Sequence, residues 1–381
     1  MKKAMVTRKT GLLTALVLSL TVGVAFVNCG EQKPSEAQRS MIIVFASGNA
    51  MIVRQGKEVP AKVGMVVNEN DVLKTTNGTV DLQTKNGSAV RIRNYTTVTI
   101  SKLYGEGSAD TRLSMEHGGL LASVKRKSGK ENFTVTTPTA IAGVRGTTFS
   151  VDSNEGEPTR VKVLDGSVAM KPRVAALEKF SAEEIKNDQN LSKLEEIQSK
   201  QEVVIEERTQ AILDPAVEKE VLALNEKSEA GEFDASQAAE LSVAMESTLN
   251  KAGDDKKVVQ LTKSDVTTEE MAEKATLVTV DDEVANRVRE GDDKALEEMR
   301  RQRDAKQELV LNQIEEEASR TKLNNEDEIR QHYNKLETLN LRSGQSITGA
   351  VIAQTGNVLI VHTKDGVRRL KTNEIEYITY P

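Results

Sequence analysis

The stretch "FTVTTPTAIAGVRGTTFSV", residues 133–151, decides the fold of this chain. Apolar and polar residues alternate at both of its ends, as they do in a strand with one buried face. The apolar members of this alternation are Phe133, Val135, Phe149 and Val151. Between them, Pro138 interrupts a strand ladder and therefore belongs at a strand edge or a corner. Gly143 and Gly146 permit a tight bend or a close approach of strands. The stretch therefore predicts strands joined by a corner.

The same alternation continues on both sides of this stretch, over residues 41–173, which are rich in Val, Ile and Thr. Turn signals separate its short runs, and the Asn-Gly pairs at 77–78 and 86–87 supply the positive φ that tight hairpins require. In "SAVRIRN", residues 88–94, Val90 and Ile92 share one face, and Arg91 and Arg93 share the other. We predict an all-β domain over 41–173, built as a sandwich, a roll or a short solenoid.

Residues 133–151 resemble the FecR domain family, whose pattern is approximately F-x-V-x-T-P-x-A-x-x-G-V-R-G-T-x-F-x-V followed by a strand pair around L-E/D-G-x-V. The residues in register are Phe133, Val135, Thr137, Pro138, Ala140, Gly143, Val144, Arg145, Gly146, Thr147, Phe149 and Val151, then Leu164, Asp165, Gly166 and Val168. The resemblance covers residues 45–170. It implies a FecR-like β domain in this part of the chain.

The family motif has a structural and a partner-binding interpretation. Its candidate residues are Thr137, Pro138, Gly143, Val144, Arg145, Gly146 and Thr147. Gly, Pro, Val and Thr supply backbone geometry rather than chemistry, which favours a buried corner that closes the domain. Arg145 is the exception, because a guanidinium between two glycines needs a carboxylate or carbonyl partner to be ordered. We expect that partner inside the domain, with contact to another protein as the alternative.

The amino terminus is laid out as an export signal. Four cations precede an uncharged apolar run over residues 11–27, and the single cysteine, Cys29, follows directly. This resembles a bacterial lipoprotein signal, in a version looser than usual that is similar to spirochaetal ones. We expect a signal peptide over 1–28, cleavage between Asn28 and Cys29, acyl chains on Cys29, and a flexible tether over 29–40. The alternatives are a plain secretory signal and an uncleaved anchor helix.

Residues 174–340 carry 23 Lys and Arg against 41 Asp and Glu, a net charge of −18. Ser181 with Glu184 and Thr267 with Glu270 have the spacing of capping boxes. Apolar residues at helical spacing are Leu191, Leu194, Ile197, Val204 and Ile212. We predict an acidic α-helical segment, as solvated helices, a docking surface or a stalk, with part of it disordered.

Residues 341–381 carry turn signals between short apolar runs. They predict a small antiparallel β module of four or five strands, a meander or a small barrel, that loosely resembles SM-like modules. His362 lies on one of these strands with no second ligand nearby in sequence. We expect it on the strand surface rather than at a metal.

Several kinds of chemistry are excluded by composition. One cysteine permits neither an internal disulfide nor a zinc site made of several thiolates, and the three histidines are far apart in sequence. The acidic pairs 281–282 and 292–293 stand where helices start, and carboxylates are stabilised there. We therefore expect no catalytic residues, no metal and no cofactor beyond covalent lipid at Cys29. The acidic balance also argues against nucleic-acid binding.

The favoured hypothesis is a non-enzymatic, lipid-anchored cell-envelope protein, on the outer membrane or the periplasmic face of the inner membrane. Its expected partners are the bilayer, through acylated Cys29, and an envelope protein, peptidoglycan or a host molecule. The layout resembles leptospiral FecR-domain lipoproteins.

The alternative is a FecR-type transmembrane regulator that restrains a sigma factor. That resemblance implies a cytoplasmic helical domain before one spanning helix, and only ten residues precede the apolar run, which favours the lipoprotein. A third hypothesis is proteolytic processing near 152–158 or 171–182, which are exposed connections between domains.

Overall fold

The computed structural model describes residues 40–103, 110–125, 132–144, 146–230, 234–249, 258–355 and 358–380. Asn28, Cys29 and Arg145 lie outside the described residues, as do the predicted signal peptide over 1–28 and nearly all of the tether over 29–40.

Residues 40–263 contain a first group of strands. In chain order they are β1 (Ser40–Ser47), β2 (Ala50–Arg54), β3 (Lys57–Pro60), β4 (Val66–Asn68), β5 (Val72–Thr75), β6 (Thr79–Gln83), β7 (Ala89–Ile92), β8 (Thr97–Lys102), β9 (Asp110–Ser123), β10 (Asn132–Thr136), β11 (Ala140–Val144), β12 (Thr148–Ser153), β13 (Arg160–Asp165), β14 (Ser167–Pro172), β15 (Val203–Glu206), β16 (Thr209–Leu213) and β17 (Val259–Lys263).

Hydrogen-bonded pairing arranges these strands in two sheets. The first sheet has the order β4-β1-β6-β7-β9-β12-β13-β16-β17. The second has the order β3-β2-β5-β8-β9-β10-β11-β14-β15. Every pairing is antiparallel except that of β9 with β10. Strand β9 belongs to both sheets, and Gly118, with φ +102°, lies at the point where it passes from the second to the first.

The alternation predicted from the sequence produces the core between the sheets. Phe149 of β12 and Phe133 of β10 meet edge to face, with ring centroids 6.4 Å apart and ring planes at 79°. Both belong to one cluster of buried residues to which Val90 and Ile92 of β7 also contribute. The residues of the opening stretch therefore bring the two sheets together.

The prediction of a helical segment over 174–340 was incomplete, because β15, β16 and β17 lie within it. Val204 and Ile212, which the sequence placed at helical spacing, are on β15 and β16. Strand β15 pairs with β14 and extends the second sheet, and β16 pairs with β13 and extends the first sheet. Each has four or five residues, too few for a period of two to stand out from the helical pattern around it.

The helices of the described residues are α1 (Ala182–Asn187), α2 (Gln189–Lys200), α3 (Pro215–Glu229), α4 (Ala235–Leu249), α5 (Thr268–Thr276), α6 (Asp282–Arg289), α7 (Asp293–Arg320) and α8 (Glu326–Tyr333). Both predicted capping boxes are formed, at the starts of α1 and α5. Asp281 and Asp292 accept hydrogen bonds from backbone N–H groups at the starts of α6 and α7, as their helix-start positions suggested. Local helix signals in this sequence are thus accurate.

Residues 337–379 form a separate antiparallel sheet. Its strands are β18 (Glu337–Leu341), β19 (Ser346–Thr355), β20 (Val358–Thr363), β21 (Gly366–Lys371) and β22 (Ile375–Thr379), in the order β21-β20-β19-β18-β22. Helices α5, α7 and α8 contribute Ala272, Leu311 and Ile329 to a cluster that covers one face of this sheet. The small C-terminal antiparallel sheet predicted from the sequence is confirmed.

The described chain is therefore mostly β sheet with several helices. The boundaries proposed at 173 and 340 remain predictions. None of its described helices combines the length and the apolar character needed to span a bilayer.

Candidate functional site

The first half of the family motif makes a turn between β10 and β11. Thr137 is buried, and its backbone N–H donates to the carbonyl of Ala140 at 2.8 Å. Its Oγ1 accepts a hydrogen bond from the Ala140 N–H at 3.0 Å. These contacts satisfy the backbone groups that a buried turn would otherwise leave unpaired. Pro138 sits within this turn, in agreement with the corner expected for it.

Helix α3 covers this turn. The amide of Asn225 donates to the carbonyl of Pro138 at 3.0 Å and to that of Arg173 at 3.1 Å. Its Oδ1 accepts from the N–H of Ala175 at 2.9 Å. Glu218 of the same helix accepts hydrogen bonds from Thr139 Oγ1 and from the Thr159 N–H. The motif turn is thus held by the acidic segment that follows it.

The second half of the motif makes the passage from β11 in the second sheet to β12 in the first. Gly146 has φ +71°, the left-handed conformation that glycine adopts without strain. Thr147 is buried, and its Oγ1 donates to the carbonyl of Ser167 at 2.7 Å. Val144 is buried, opposite Phe133 and Val168. The expected internal partner of Arg145 stays a prediction.

Gly143 lies on the outer side of the second sheet. A Cβ built on it would have only the Ala169 carbonyl oxygen nearby, at 3.9 Å. The neighbouring side chains form a shallow open groove lined by Arg112, Thr134, Gly143, Ala169 and Val204, among others. Its lining combines small residues with charged and polar side chains, among them Asp110 and Asn132, which hydrogen bond to each other.

The outer side of the first sheet is different, because it carries buried and half-buried charges. We call the set Asp81, Arg91, Arg93, Asp152 and Lys162 the charged face. Arg91 and Asp81 are directly opposed on β7 and β6 and form a two-fold ion pair, with both N–O distances 2.7 Å. Burial disfavours the charge on Arg91, but Asp81 outweighs this effect and the pKa of Arg91 is raised.

Arg93 binds two carboxylates. It donates to Asp152 Oδ1 at 2.8 Å and to both oxygens of Glu273 at 2.9 and 2.7 Å. Burial opposes the charge on Arg93, but hydrogen bonding to Glu273 raises its pKa. Burial raises the pKa of Asp152, and Arg93 offsets this in part. Gly119 makes room for this arrangement, since a Cβ there would lie 2.6 Å from Asp152 Oδ1.

Helix α5 lies on the charged face and binds it along its length. Near its start, Lys162 Nζ donates to Glu270 at 2.6 Å and to the Asp265 carbonyl at 2.8 Å. At its end, Arg91 donates to the carbonyl of Thr276 at 3.0 Å and to its Oγ1 at 2.9 Å. A cation at the carboxyl end of a helix is favoured by the helix dipole.

The sequence placed Arg91 and Arg93 on one side of a strand, which the structure reproduces, but it did not locate their partners. Glu273 follows Arg93 by 180 residues. The Thr267–Glu270 capping box fixed where α5 begins, but nothing in one sequence links that helix to this sheet. The ion pairs of the charged face were therefore beyond sequence reasoning.

His362 was expected on a strand surface, and this expectation is wrong. Its side chain is buried, and Nδ1 lies 2.7 Å from the hydroxyl of Tyr333 on α8. Burial lowers the pKa of His362, and nearby His332 adds to the effect. Helix α8 packs on β19 and β20 and covers this position. Among the described residues, no group of three or more His, Cys, Asp and Glu side chains could hold a metal ion.

Comparison with known proteins identifies one part of the chain. Residues 71–169, which hold β5 to β13 and the start of β14, match the family model described as FecR protein. No protein of curated function matches the sequence.

Two solved structures from Parabacteroides distasonis ATCC 8503, each described as a candidate anti-sigma factor, are similar to the chain. They share 17% and 18% sequence identity with it, cover 37% of it in both cases, and have TM-scores of 0.28 and 0.27. The chain spans about half of their length, 54% and 52%.

Proposed function

Because residues 71–169 form a FecR domain, we propose that this protein is a non-catalytic regulator of the FecR type, which acts by binding another protein. In this proposal the bound protein belongs to a signalling pathway that ends at a sigma factor. The match of the FecR domain is the single observation that carries the proposal. Because a family match alone does not establish function, the side chains of the domain must also be suited to binding.

The residues of the domain support binding rather than catalysis. The polar groups of its motif turn are used in hydrogen bonds to α3, and the charges of its charged face are used in ion pairs. An acid–base catalyst needs a titratable group that can reach a substrate proton. Arg91 and Asp81 are instead bonded to each other and buried. Residues with these contacts stabilise the surface of the domain.

The proposal is tested by measuring transcripts in cells that lack the protein and in cells that regain it. A regulator predicts that one limited set of transcripts changes together and returns when the wild-type chain is restored. Phe149→Ala should fail to restore them, because it leaves a cavity in the core of the FecR domain. Val243→Ala, at a position of α4 that is 65% exposed, is the matched control and should restore them. Unchanged transcripts in cells that lack the protein would refute the proposal.

A second candidate is a lipid-anchored envelope protein, which Cys29 at the end of the apolar run favours. Two or more acyl chains hold a protein on a bilayer far more firmly than one. Its partners would then be an envelope protein, peptidoglycan or a host molecule.

Detergent partitioning and intact mass of the native protein and of Cys29→Ser test this candidate. Acyl mass on the native chain, and its loss together with the membrane fraction in the variant, are expected. A native chain without acyl mass would eliminate it.

A further inference from the structure

We propose that the charged face is a docking site for an acidic helix of a partner protein, and that helix α5 fills this site within the same chain. The inference rests on the proposed function, because it gives a regulator that binds proteins the surface with which it binds. It also specifies the pattern of the partner helix.

The charged face selects carboxylates. Arg91, Arg93 and Lys162 all point outward from the first sheet, where Asp81 pairs with Arg91 and Asp152 with Arg93, and a further sheet carboxylate, Asp165, pairs with Lys274 of α5. Asp81 is fully engaged by Arg91, whereas Arg93 and Lys162 obtain carboxylates from α5. Buried cations need such partners, since a buried unpaired charge is strongly unfavourable. A ligand of this face therefore has to bring acidic groups.

The occupant shows which arrangement of groups the face accepts. Glu270 and Glu273 are one helical turn apart and bind Lys162 and Arg93. Val266 and Leu277 lie on either side of them and pack against a small apolar cluster of Ala89, Leu121 and Leu164. Only Glu270 and Glu273 lie within α5, because Val266 precedes the cap residue Thr267 and Leu277 follows the last helical residue. The partner should carry two acidic residues three positions apart on a short helix, with one apolar residue just before its N-cap and one just after its last turn.

The ends of the helix are recognised as well as its side chains. Arg91 donates to the carbonyl groups of Glu273 and Thr276 in the last turn of α5, in addition to the hydrogen bonds that these carbonyls accept from the following backbone. Lys162 binds the Asp265 carbonyl just before the helix begins. An extended peptide or a disordered acidic tail would not present these carbonyls at this distance from two carboxylates. The face is therefore built for a short helix of fixed direction.

The contact of α5 with the charged face has the composition of an exchangeable interface. It consists mainly of ion pairs and hydrogen bonds around a small apolar cluster, unlike the large apolar core between the two sheets. On its opposite side α5 contributes Ala272 to the cluster beneath the C-terminal sheet. A partner helix can thus compete with the ionic side of α5 for the charged face, while the apolar side of α5 keeps its contacts with the C-terminal sheet.

The test uses a labelled peptide with the sequence of residues 264–280 and the full-length protein. In the protein, Glu270→Lys with Glu273→Lys places cations opposite Lys162 and Arg93 and drives α5 off the face. We expect the peptide to bind this double variant at least about tenfold more tightly than wild type, because the competitor within the chain is removed. Adding Arg93→Gln to the double variant should abolish the gain. Met271→Gln, on the exposed side of α5, should leave wild-type behaviour unchanged.

The control peptide exchanges Glu273 and Lys274, which keeps composition and net charge but moves the carboxylate away from Arg93 and the ammonium away from Asp165. Equal binding of both peptides, or of polyglutamate, would show charge attraction without helix recognition and would overturn the proposal. If the double variant does not unfold cooperatively, and is therefore misfolded, hydrogen exchange of the wild-type protein with each peptide replaces the binding measurement. The correct peptide should speed exchange of the α5 amides and the control peptide should not, and no difference would also overturn the proposal.

This test is independent of the transcript experiment. If the peptide fails to bind while transcripts depend on the protein, the docking site is wrong and the regulator stands. If the peptide binds while transcripts stay unchanged, the site stands and the proposed regulator is wrong.

Discussion

Arg93 shows how one residue ties distant parts of this chain together. Its guanidinium forms ion pairs with Asp152 on the first sheet and with Glu273 on α5 at the same time. A planar group with several N–H donors can serve two carboxylates, which a lysine ammonium does less well. The geometry depends on the absence of a side chain at Gly119, directly beside it.

Gly119→Ala is expected to destabilise the protein. The new Cβ would lie 2.6 Å from Asp152 Oδ1, so the carboxylate has to move away from Arg93. Local overpacking, together with the disturbed half-buried ion pair, predicts a loss of about 1 to 3 kcal/mol in the free energy of unfolding. Urea unfolding of the full chain measures it.

Gly143→Ala is the matched control for this change. It is also a strand glycine without positive φ, but its Cβ would meet nothing closer than 3.9 Å. Its stability should equal that of wild type or exceed it slightly, because alanine restricts the unfolded chain. Equal losses in the two variants would contradict the assignment of the effect to the Arg93–Asp152 pair.

His362 predicts a dependence of stability on pH. Burial lowers its pKa in the folded protein, so the unfolded chain, with a histidine pKa near 6.5, takes up the proton first. The free energy of unfolding should therefore fall as the pH drops below about 6.5 and stay constant with respect to this group above it. Denaturant unfolding from pH 7.5 to 5 measures the slope. His362→Gln should have a flatter profile, and an unchanged slope would show that another group is responsible.

At the scale of elements, α3 determines how the motif turn is held. Asn225 uses its whole amide on the backbone of Pro138, Arg173 and Ala175. A single side chain thereby joins the turn before β11, the end of β14 and the chain that leads to α1.

Asn225→Leu is expected to lower the free energy of unfolding by about 2 kcal/mol or more, because one buried and two partly buried backbone groups lose their partner. Glu226→Gln, at the next and exposed position of α3, should change it by less than about 0.5 kcal/mol. Thermal unfolding followed by circular dichroism compares the two. A similar midpoint for both variants would mean that water replaces Asn225 without loss.

The sequence predicted elements better than it predicted their contacts. Asn-Gly turns, the alternation around Phe133 and Phe149, and both capping boxes are local signals, and each is visible within a few residues. Strands β15 and β16 were missed because they are short and gain their stability from pairing with β14 and β13. The burial of His362 was missed because it comes from α8, and no local pattern shows which strand a helix covers.

At the scale of the whole molecule, Gln83 connects the first sheet to the later helices. It is fully buried, and its amide donates to the Val280 carbonyl at 3.0 Å and accepts from the Val280 N–H at 2.9 Å. Val280, Val284 and Met299 then cover Ile42 and Val44 on the outer side of β1. The two hydrogen bonds between Gln83 and Val280 fix where the later chain meets the first sheet. Burial of the apolar cluster supplies most of the free energy that stabilises this contact.

Gln83→Leu should loosen this connection without unfolding the sheets. The Val280 amide and the amides of α6 are expected to exchange hydrogen at least about tenfold faster, while those of β12 keep their rates. Gln210→Leu is the control, because that side chain also lies on the first sheet but makes no hydrogen bond among the residues described. Uniform acceleration in both sheets would instead indicate loss of global stability.

Strands β15, β16 and β17 follow the other strands of the two sheets in the sequence, so they are synthesised last, which has a consequence for biosynthesis. A nascent chain that has emerged only as far as residue 172 leaves β13 and β14 as open edges, and open edges of this kind pair with other chains. The sheets are complete only after residue 263 has left the ribosome, and many of their contacts are long in sequence. Until then these edges can pair with other chains, so fragments cut after β14 should aggregate where the whole chain does not.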